Sequence, residues 1–238
     1  AGSDGEVVLK KNEPSEIKDC SETFNKASFA LNQGLDKIIF KPVSSVYRVL
    51  PSPIKTGVSN SLNNLSNVVT IPNNILQGEF ALAGVNTGRF LINTTVGVLG
   101  LIDVATYLGF SEYTKEDYGQ SLASHGVGPG CYLVLPILGP STARDTLGIL
   151  ADTYIDPFAH ITIRESELLG VSGNDLDYDS VKGTTAVDFR SKNIQNFESL
   201  EKNSIDLYSS LKSIYLQDRE NKIQNSKGAQ DDWGNLDN

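Results

Sequence analysis

The amino-acid sequence predicts an all-α fold, a bundle of short helices broken repeatedly by glycine and proline. Apolar residues recur at every third or fourth position in several long stretches, which is the spacing of one helix face. Helix-start signals precede two of these stretches, with Ser21 in an N-cap position and Pro53 in a first turn. The apolar–polar alternation of a half-buried strand is scarce. These three observations favour helices over sheet.

The predicted helices follow one another with short breaks at glycine and proline. The first helix places Phe24, Leu31 and Ile38 at roughly helical spacing, and the fifth begins with Ser141 near its cap. In chain order, the predicted helices span residues 21–40, 42–50, 53–69, 73–95, 140–156 and 204–217.

The chain of 238 residues is long enough to bury the core of one large domain. Residues 1–18 are polar and rich in turn formers, and we expect a flexible leader there. Residues 19–216 hold almost all long apolar runs and are expected to form a single helical domain. Residues 217–238 have no periodic apolar face, which predicts a polar, disordered tail.

Composition excludes several function classes. The net charge is −9 and the pI about 4.7, so no nucleic-acid partner is expected, because the phosphate backbone needs a basic surface. The acidity also argues against electrostatic docking to anionic lipid headgroups, so a membrane contact would be hydrophobic. The two cysteines and two histidines lack metal-ligand spacing, and neither a metal nor a cofactor is expected. Cys20 and Cys131 form either a disulfide or two separate buried thiols.

The most hydrophobic long segment runs from Arg89 to Phe110 and has the length of a membrane-spanning helix. Asn93 and Asp103 interrupt it, and a charge near a bilayer centre costs about 2.5–3.5 kcal/mol even on the most lenient scale. A kinked or re-entrant segment, with its polar groups turned to protein or to a water-filled cavity, fits better than a span. A buried helix of an ordinary soluble protein is the alternative.

A second apolar segment, Gly126 to Asp145, contains three prolines and ends on the charged pair Arg144–Asp145. Prolines disfavour a core strand, and the repeated breakers disfavour a spanning helix. Its pattern alone does not identify the environment that suits it.

Five motifs in a fixed order resemble the MlaA (VacJ) family of Gram-negative outer-membrane lipoproteins, over about residues 19–220. They are FNKASFALNQGLDKIIFKPV, GVSNSLNNL with NNILQG, GRFLINTTVGVLGLIDVA, EDYGQSLASHGVGPGCYLVLPILGPSTARD and DLYSSLKSIYLQDR. Each motif alone is weak, whereas five in the same order with matching gaps are specific.

The resemblance implies a ring-like bundle of short amphipathic and re-entrant helices in the inner leaflet of the outer membrane. Through its amphipathic channel, mislocalised outer-leaflet phospholipid would pass to a soluble periplasmic carrier of the MlaC type. The implied partners also include a trimeric porin, and the implied role is transport rather than catalysis. Short helices turned back by glycine and proline suit a protein that lies in one leaflet, which accounts for both apolar segments.

The polar residues embedded nearest the apolar runs are our predicted channel residues: Arg89, Asn93, Asp103, Arg144 and Asp145. A headgroup needs such a path, because bare transfer of charge into hydrocarbon is prohibitive. The competing interpretation is that Arg89–Asp103 and Arg144–Asp145 are structural ion pairs that hold helices together.

Three glycines, Gly126, Gly128 and Gly130, are predicted to form a tight loop or hinge beside the channel mouth. A phosphate cradle is not expected there, because Pro129 removes a donor and no Walker lysine follows.

Both cysteines stand where members of the resembled family have proline. This departure favours a Cys20–Cys131 disulfide, since one crosslink would offset two lost rigid turns. The lipidated N-terminal cysteine of the family is not in this sequence, and Cys20 is a poor substitute because it lies inside the first motif. We expect a signal and an anchor cysteine to precede the leader in the precursor.

Two other functions stay open at this point. A phospholipid hydrolase would need a nucleophile, but neither GxSxG nor HExxH occurs, and Ser124 and His125 are adjacent in the chain. A soluble periplasmic scaffold would bind other proteins through the acidic C-terminal region.

Overall fold

A computed structural model describes residues 17–155 and 175–233 of the chain. The helices are α1 Glu22–Leu35, a π-helical turn Asp36–Phe40, α2 Lys41–Arg48, α3 Ser52–Leu76, α4 Phe80–Thr95, α5 Val104–Tyr107, α6 Tyr118–Ser124, α7 Ala143–Ile155, α8 Asp175–Lys192, α9 Ile194–Asn203 and α10 Leu207–Trp233. Two strands, β1 Tyr132–Leu135 and β2 Gly139–Thr142, form an antiparallel hairpin. The predicted helical fold is confirmed, with this hairpin as an addition.

The N-terminal helices begin where the sequence predicts. The Ser21 hydroxyl caps α1 and accepts a hydrogen bond from the backbone N–H of Phe24 at 3.4 Å. In α3, Pro53 occupies the first turn, where its missing N–H costs nothing. This helix then continues through Pro72 to Leu76, seven residues beyond the predicted end at residue 69.

The predicted helix over residues 73–95 is wrong in its first part. Gly78 adopts a positive φ of 80°, which ends α3 and lets α4 start anew at Phe80. The glycine is required there because the left-handed region clashes with a Cβ. The chain therefore changes direction between two helices where the apolar spacing predicted one continuous helix.

The segment from Arg89 to Phe110 doubles back on itself after α4. Val98, Leu99 and Gly100 all have positive φ. Backbone hydrogen bonds tie this turn to the end of α4, with Leu99 N–H donating to Thr94 O at 3.0 Å and Gly100 N–H to Asn93 O at 2.8 Å. The predicted break in this segment is confirmed.

The hairpin replaces part of a segment that we expected to consist of broken helices. Its register pairs Tyr132 with Thr142 and Leu135 with Gly139. Long-range contacts from α1 support the strand, because the Asn25 side chain donates to Tyr132 O at 3.0 Å and accepts from Val134 N–H at 3.0 Å. The cap of α7 is Thr142 rather than Ser141, since Thr142 Oγ1 accepts from Asp145 N–H at 3.2 Å.

The C-terminal prediction needs correction, because α10 continues to Trp233 without a break at residue 216. Its middle is held to the rest of the fold by Arg219, which donates to Asp117 Oδ2 at 2.7 Å, and by the buried side chain of Ile223. Of the predicted leader, residues 1–16 lie outside the described residues. The end of that leader is part of the fold, because Lys18 O accepts from Tyr132 N–H at 2.8 Å.

Candidate functional site

Polar side chains, rather than apolar ones, fill the space between α3 and α4. Five asparagines form what we call the asparagine cluster: Asn64, Asn67, Asn73, Asn74 and Asn86, each at most 5% exposed. On α3 they recur at helical spacing, so one face of the helix is polar and points inward. Asn86 Nδ2 donates to Asn74 Oδ1 at 2.8 Å, and the other members bond to neighbouring groups, such as Asn64 to Thr94 and Asn73 to Ser121.

The helices and turns from α1 to α5 carry many exposed apolar side chains. Large apolar side chains more than a third exposed occur throughout α1 to α5, with Ile38 at 76%, Val49 at 85% and Leu99 at 72%. Apolar side chains exposed singly are normal on a soluble monomer, but this part of the chain exposes them along its whole length. We refer to the exposed apolar side chains between Phe24 and Leu108 as the apolar surface.

Arg89, Asn93 and Asp103 come together at the base of the left-handed turn. Arg89 donates to Asp103 Oδ2 at 2.7 Å and Asn93 donates to Asp103 Oδ1 at 2.9 Å. Arg89 also donates to the carbonyl of Ser111 at 2.8 Å. Burial opposes ionisation, but bonds from Thr106 and Asn93 and the charge of Arg89 hold the pKa of Asp103 below its usual value. These contacts pin α4 to the turn and to α5.

Arg144 and Asp145 lie in a separate cluster with two residues that the sequence did not indicate. We call Asp117, Arg144, Asp145 and Arg219 the charge cluster. Asp145 accepts from Arg144 Nε at 3.1 Å and from Arg219 at 3.0 Å, and Arg219 also donates twice to Asp117, at 2.6 and 2.7 Å. Although burial opposes it, Arg219 lowers the pKa of both carboxyls. Tyr215 completes the shell through its hydroxyl, 2.6 Å from Asp145 Oδ2.

The glycine loop lies against this charge cluster. Gly126 and Gly130 have φ values of 85° and 70°, so both need the freedom of glycine, whereas Gly128 has no such constraint. Pro129 O accepts from Arg144 N–H at 3.2 Å. The loop is thereby tied to the start of α7 by backbone contacts.

Two buried carboxyl groups were also missed by sequence reasoning. Glu79 accepts from Asn74 at 2.9 Å and Glu116 accepts from Gln77 at 3.0 Å, and both are at most 6% exposed. Burial raises the pKa of Glu79, and it raises that of Glu116 to about 7, where the hydrogen bond from Gln77 opposes the shift and the charge of Glu79 adds to it. Their sequence surroundings are ordinary, and only the regular recurrence of asparagine on α3 signals a polar interior.

Cys20 and Cys131 form a disulfide that joins the start of α1 to the start of β1, with their Cα atoms 5.0 Å apart. The bridge lies beside a parallel backbone pairing of Asp19 with Tyr132. The N-terminal helix is thus fastened to the hairpin both covalently and by backbone hydrogen bonds.

Within residues 17–155 and 175–233, no group of three or more His, Cys, Asp or Glu side chains is arranged to hold a metal ion.

None of the described helices combines the length and the apolar character that crossing a bilayer requires.

In α1 to α5, an outward apolar surface and an inward polar face define a helical protein part whose faces are inverted relative to a water-soluble domain. The family model for the MlaA lipoprotein matches residues 17–222. The chain belongs to the MlaA lipoprotein family.

Sequence similarity to individual proteins supports this membership. The chain is 32% identical to the intermembrane phospholipid transport system lipoprotein MlaA of Haemophilus influenzae, over 90% of this chain and 82% of that protein. It is 34% identical to the Escherichia coli protein of the same name over 59% of this chain and 58% of that one, and 34% identical to an uncharacterised protein of Rickettsia bellii over 89% and 79%.

A solved structure from work on the structural basis for maintenance of bacterial outer membrane lipid asymmetry also matches. It superposes with a TM-score of 0.73 at 28% identity, over 87% of this chain and 99% of that one.

Proposed function

We propose that this chain transports phospholipid in the Gram-negative outer membrane, removing mislocalised lipid from the outer leaflet and thereby maintaining lipid asymmetry. The observation that carries the proposal is the inverted polarity of α1 to α5, with the asparagine cluster inside and the apolar surface outside. A lipid headgroup needs polar partners along its path, while helices embedded in one leaflet need apolar outer faces. The relatives named for phospholipid transport support the same conclusion.

The setting that we propose is the inner leaflet, entered from the periplasmic side. The channel would open between the helices, and its lipid would pass to a soluble MlaC-like carrier, with a trimeric porin as the membrane partner. In this proposal the clusters around Asp103 and around Asp145 hold the channel shape, because their charged atoms already bond to one another.

The geometry around Ser124 does not favour a hydrolase. His125 Nδ1 lies 2.8 Å from the carbonyl oxygen of Ser121 and 3.3 Å from Ser124 Oγ. A carbonyl oxygen only accepts, so Nδ1 carries the proton of that bond and is not free to take one from Ser124. Transport without chemistry on the lipid is therefore our proposal.

Vesicle flotation combined with mass spectrometry of bound lipid tests the proposal. The wild type should float with vesicles of phosphatidylethanolamine and phosphatidylglycerol and release intact phospholipid on extraction. Since burying Ile or Leu is worth about 1.5–3 kcal/mol, loss of two such side chains in the variant I38S/L99S should weaken vesicle partitioning at least about a hundredfold. The matched control is I205S, which removes a fully exposed isoleucine from the α9–α10 corner, outside the apolar surface.

Three results would contradict the proposal. Lyso-lipid and free fatty acid in place of intact phospholipid would identify a hydrolase. Protein that neither floats nor carries lipid would identify a scaffold. An equal loss of flotation in I205S would show that the apolar surface of α1 to α5 is not the part that contacts lipid.

A further inference from the structure

A cavity of about 440 Å³ lies where the corner between α2 and α3 meets the end of α8. Three cationic side chains line it, Arg48, Lys55 and Lys192, against the single carboxylate of Asp188. In a chain with a net charge of −9, this concentration of positive charge runs against the overall composition. Such a local excess selects for an anion.

The contacts inside the cavity leave two of the cations without a carboxylate partner. Lys192 donates to Asp188 Oδ2 at 2.8 Å, and the other oxygen of Asp188 accepts from Tyr47 at 3.1 Å. Lys55 spends one donor on the backbone carbonyl of Arg48 at 2.9 Å and keeps two. Within the described parts of the chain, the exposed guanidinium of Arg48 pairs with no acidic side chain. Arg48 and Lys55 therefore supply uncompensated charge.

Hydroxyl groups of α3 add neutral donors to the same wall. Ser52, Thr56 and Ser59 line the cavity and recur every three or four residues, which places them on one helix face. The Ser59 oxygen accepts from Lys192, so the hydroxyl proton of Ser59 remains available to a ligand. The first turn of this 25-residue helix has no side-chain cap, and its positive dipole end favours an anion nearby.

The corner that leads from Arg48 of the cavity wall into α3 exposes the apolar side chains of Val49 and Leu50. A ligand that fits both surfaces carries an anionic head and an apolar body. Phosphate matches the head, because its several oxygens accept together from a guanidinium fork, an ammonium and hydroxyls.

We propose that this cavity binds the phosphate group of a phospholipid while the acyl chains lie on the exposed corner of α2 and α3. The inference rests on the proposed function and assigns it a headgroup site.

The test is isothermal titration of the full chain, held in amphipol so that no detergent competes. The probes are short-chain phosphatidylglycerol below its micelle concentration, inorganic phosphate, and the matching diacylglycerol without phosphate. The double variant R48Q/K55Q should bind the phosphatidylglycerol at least about tenfold more weakly than wild type, and added salt should weaken wild-type binding. The control K202Q/K222Q removes the same charge from exposed positions outside the cavity.

The outcomes separate this inference from the broader function. Equal affinity of R48Q/K55Q and wild type for phosphatidylglycerol overturns the headgroup site, and so does an equal loss in the control. Wild-type affinity for inorganic phosphate that matches that for phosphatidylglycerol overturns the lipid assignment. If wild type floats with vesicles but fails any of these comparisons, only the headgroup site is overturned and the proposed phospholipid transport is not. If wild type fails to float, the proposed transport is contradicted.

Discussion

The asparagine cluster and the charge cluster both bury polar groups, but they do so in opposite surroundings. The asparagine cluster uses neutral amides, and the helices around it expose apolar side chains. The charge cluster uses ion pairs, and the elements around it bury aromatic and apolar residues such as Tyr118, Tyr132, Val134 and Ile223 in the ordinary way. The helices of the two regions therefore turn groups of opposite polarity towards the outside.

The chemistry of the two clusters follows from the cost of burial. Moving an amide out of water costs little free energy if the amide forms hydrogen bonds in the protein. A buried charge, in contrast, needs a close ion-pair partner. In the proposed function a lipid headgroup passes through this interior, and neutral asparagines suit that passage because they offer both donors and acceptors without fixed charge. Ion pairs suit the second region, where α10 is fastened to the loop before α6 and to α7.

The largest expected effect comes from removing the disulfide that fastens α1 to the hairpin. In the variant C20S/C131S, we expect the free energy of unfolding to fall by about 4 kcal/mol, because the crosslink closes a loop with a sequence separation of 111. Chemical denaturation followed by circular dichroism measures this loss. Wild type treated with reductant should match the variant, and an unchanged reduced protein would contradict the prediction.

A somewhat smaller loss is expected inside the charge cluster. The variant R219M leaves the carboxylate of Asp117 without its cation, while Asp145 keeps Arg144 at 3.0 Å. We expect the free energy of unfolding to fall by about 3 kcal/mol, at the low end for a broken buried pair. The control K222M changes an exposed lysine on the same helix and should alter stability by less than about 0.5 kcal/mol. Equal losses of unfolding free energy in R219M and K222M would show that the charge cluster does not stabilise the fold more than an exposed ion pair does.

The smallest effect concerns Glu116, which lies where the polar interior of α3 approaches the charge cluster. Its pKa is raised to about 7, so its stabilising contribution is complete below its ordinary value of 4.5 and is lost as pH rises through 7. We expect wild type to lose about 2 kcal/mol between about pH 5 and about pH 8, and E116Q to lack that loss. Thermal unfolding across this pH range measures it.

The control for this titration is E112Q, which changes an exposed glutamate nearby and should keep the wild-type pH profile. A wild-type profile in E116Q would assign the pH dependence to another group. The carboxyls with lowered pKa, Asp117 and Asp145, act in a different window, because their contribution is lost only as pH falls through their folded values.

Local signals in the sequence predicted α1 to α4, α7, the first part of α10 and part of the candidate site, but not α5, α6, α8 or α9. Ser21 and Pro53 mark helix starts through chemistry within one turn, and Arg89, Asn93 and Asp103 lie close in the chain and meet in space. The hairpin was missed because its support comes from Asn25, more than a hundred residues away along the chain.

The long C-terminal helix was missed for a similar reason. Its sequence beyond residue 216 has no periodic apolar face, and its anchor is an arginine that pairs with Asp117 and Asp145. Glu79 and Glu116 likewise look like surface residues until α3, α4 and α6 enclose them. When elements distant in the sequence bury a side chain, the local sequence pattern does not indicate that burial.

The turn after α4 has a consequence for bilayers of different thickness. A Cβ at Gly97 would overlap the carbonyl oxygens of Asn93 and Ile102, so no residue larger than glycine fits where the chain leaves α4. In the proposed setting, the reversal of the chain after α4 determines how deep Val98 and Leu99 lie in the leaflet. Hydrophobic mismatch, which a spanning helix relieves by tilting, would then be met by deformation of the lipid and not by adjustment of the protein.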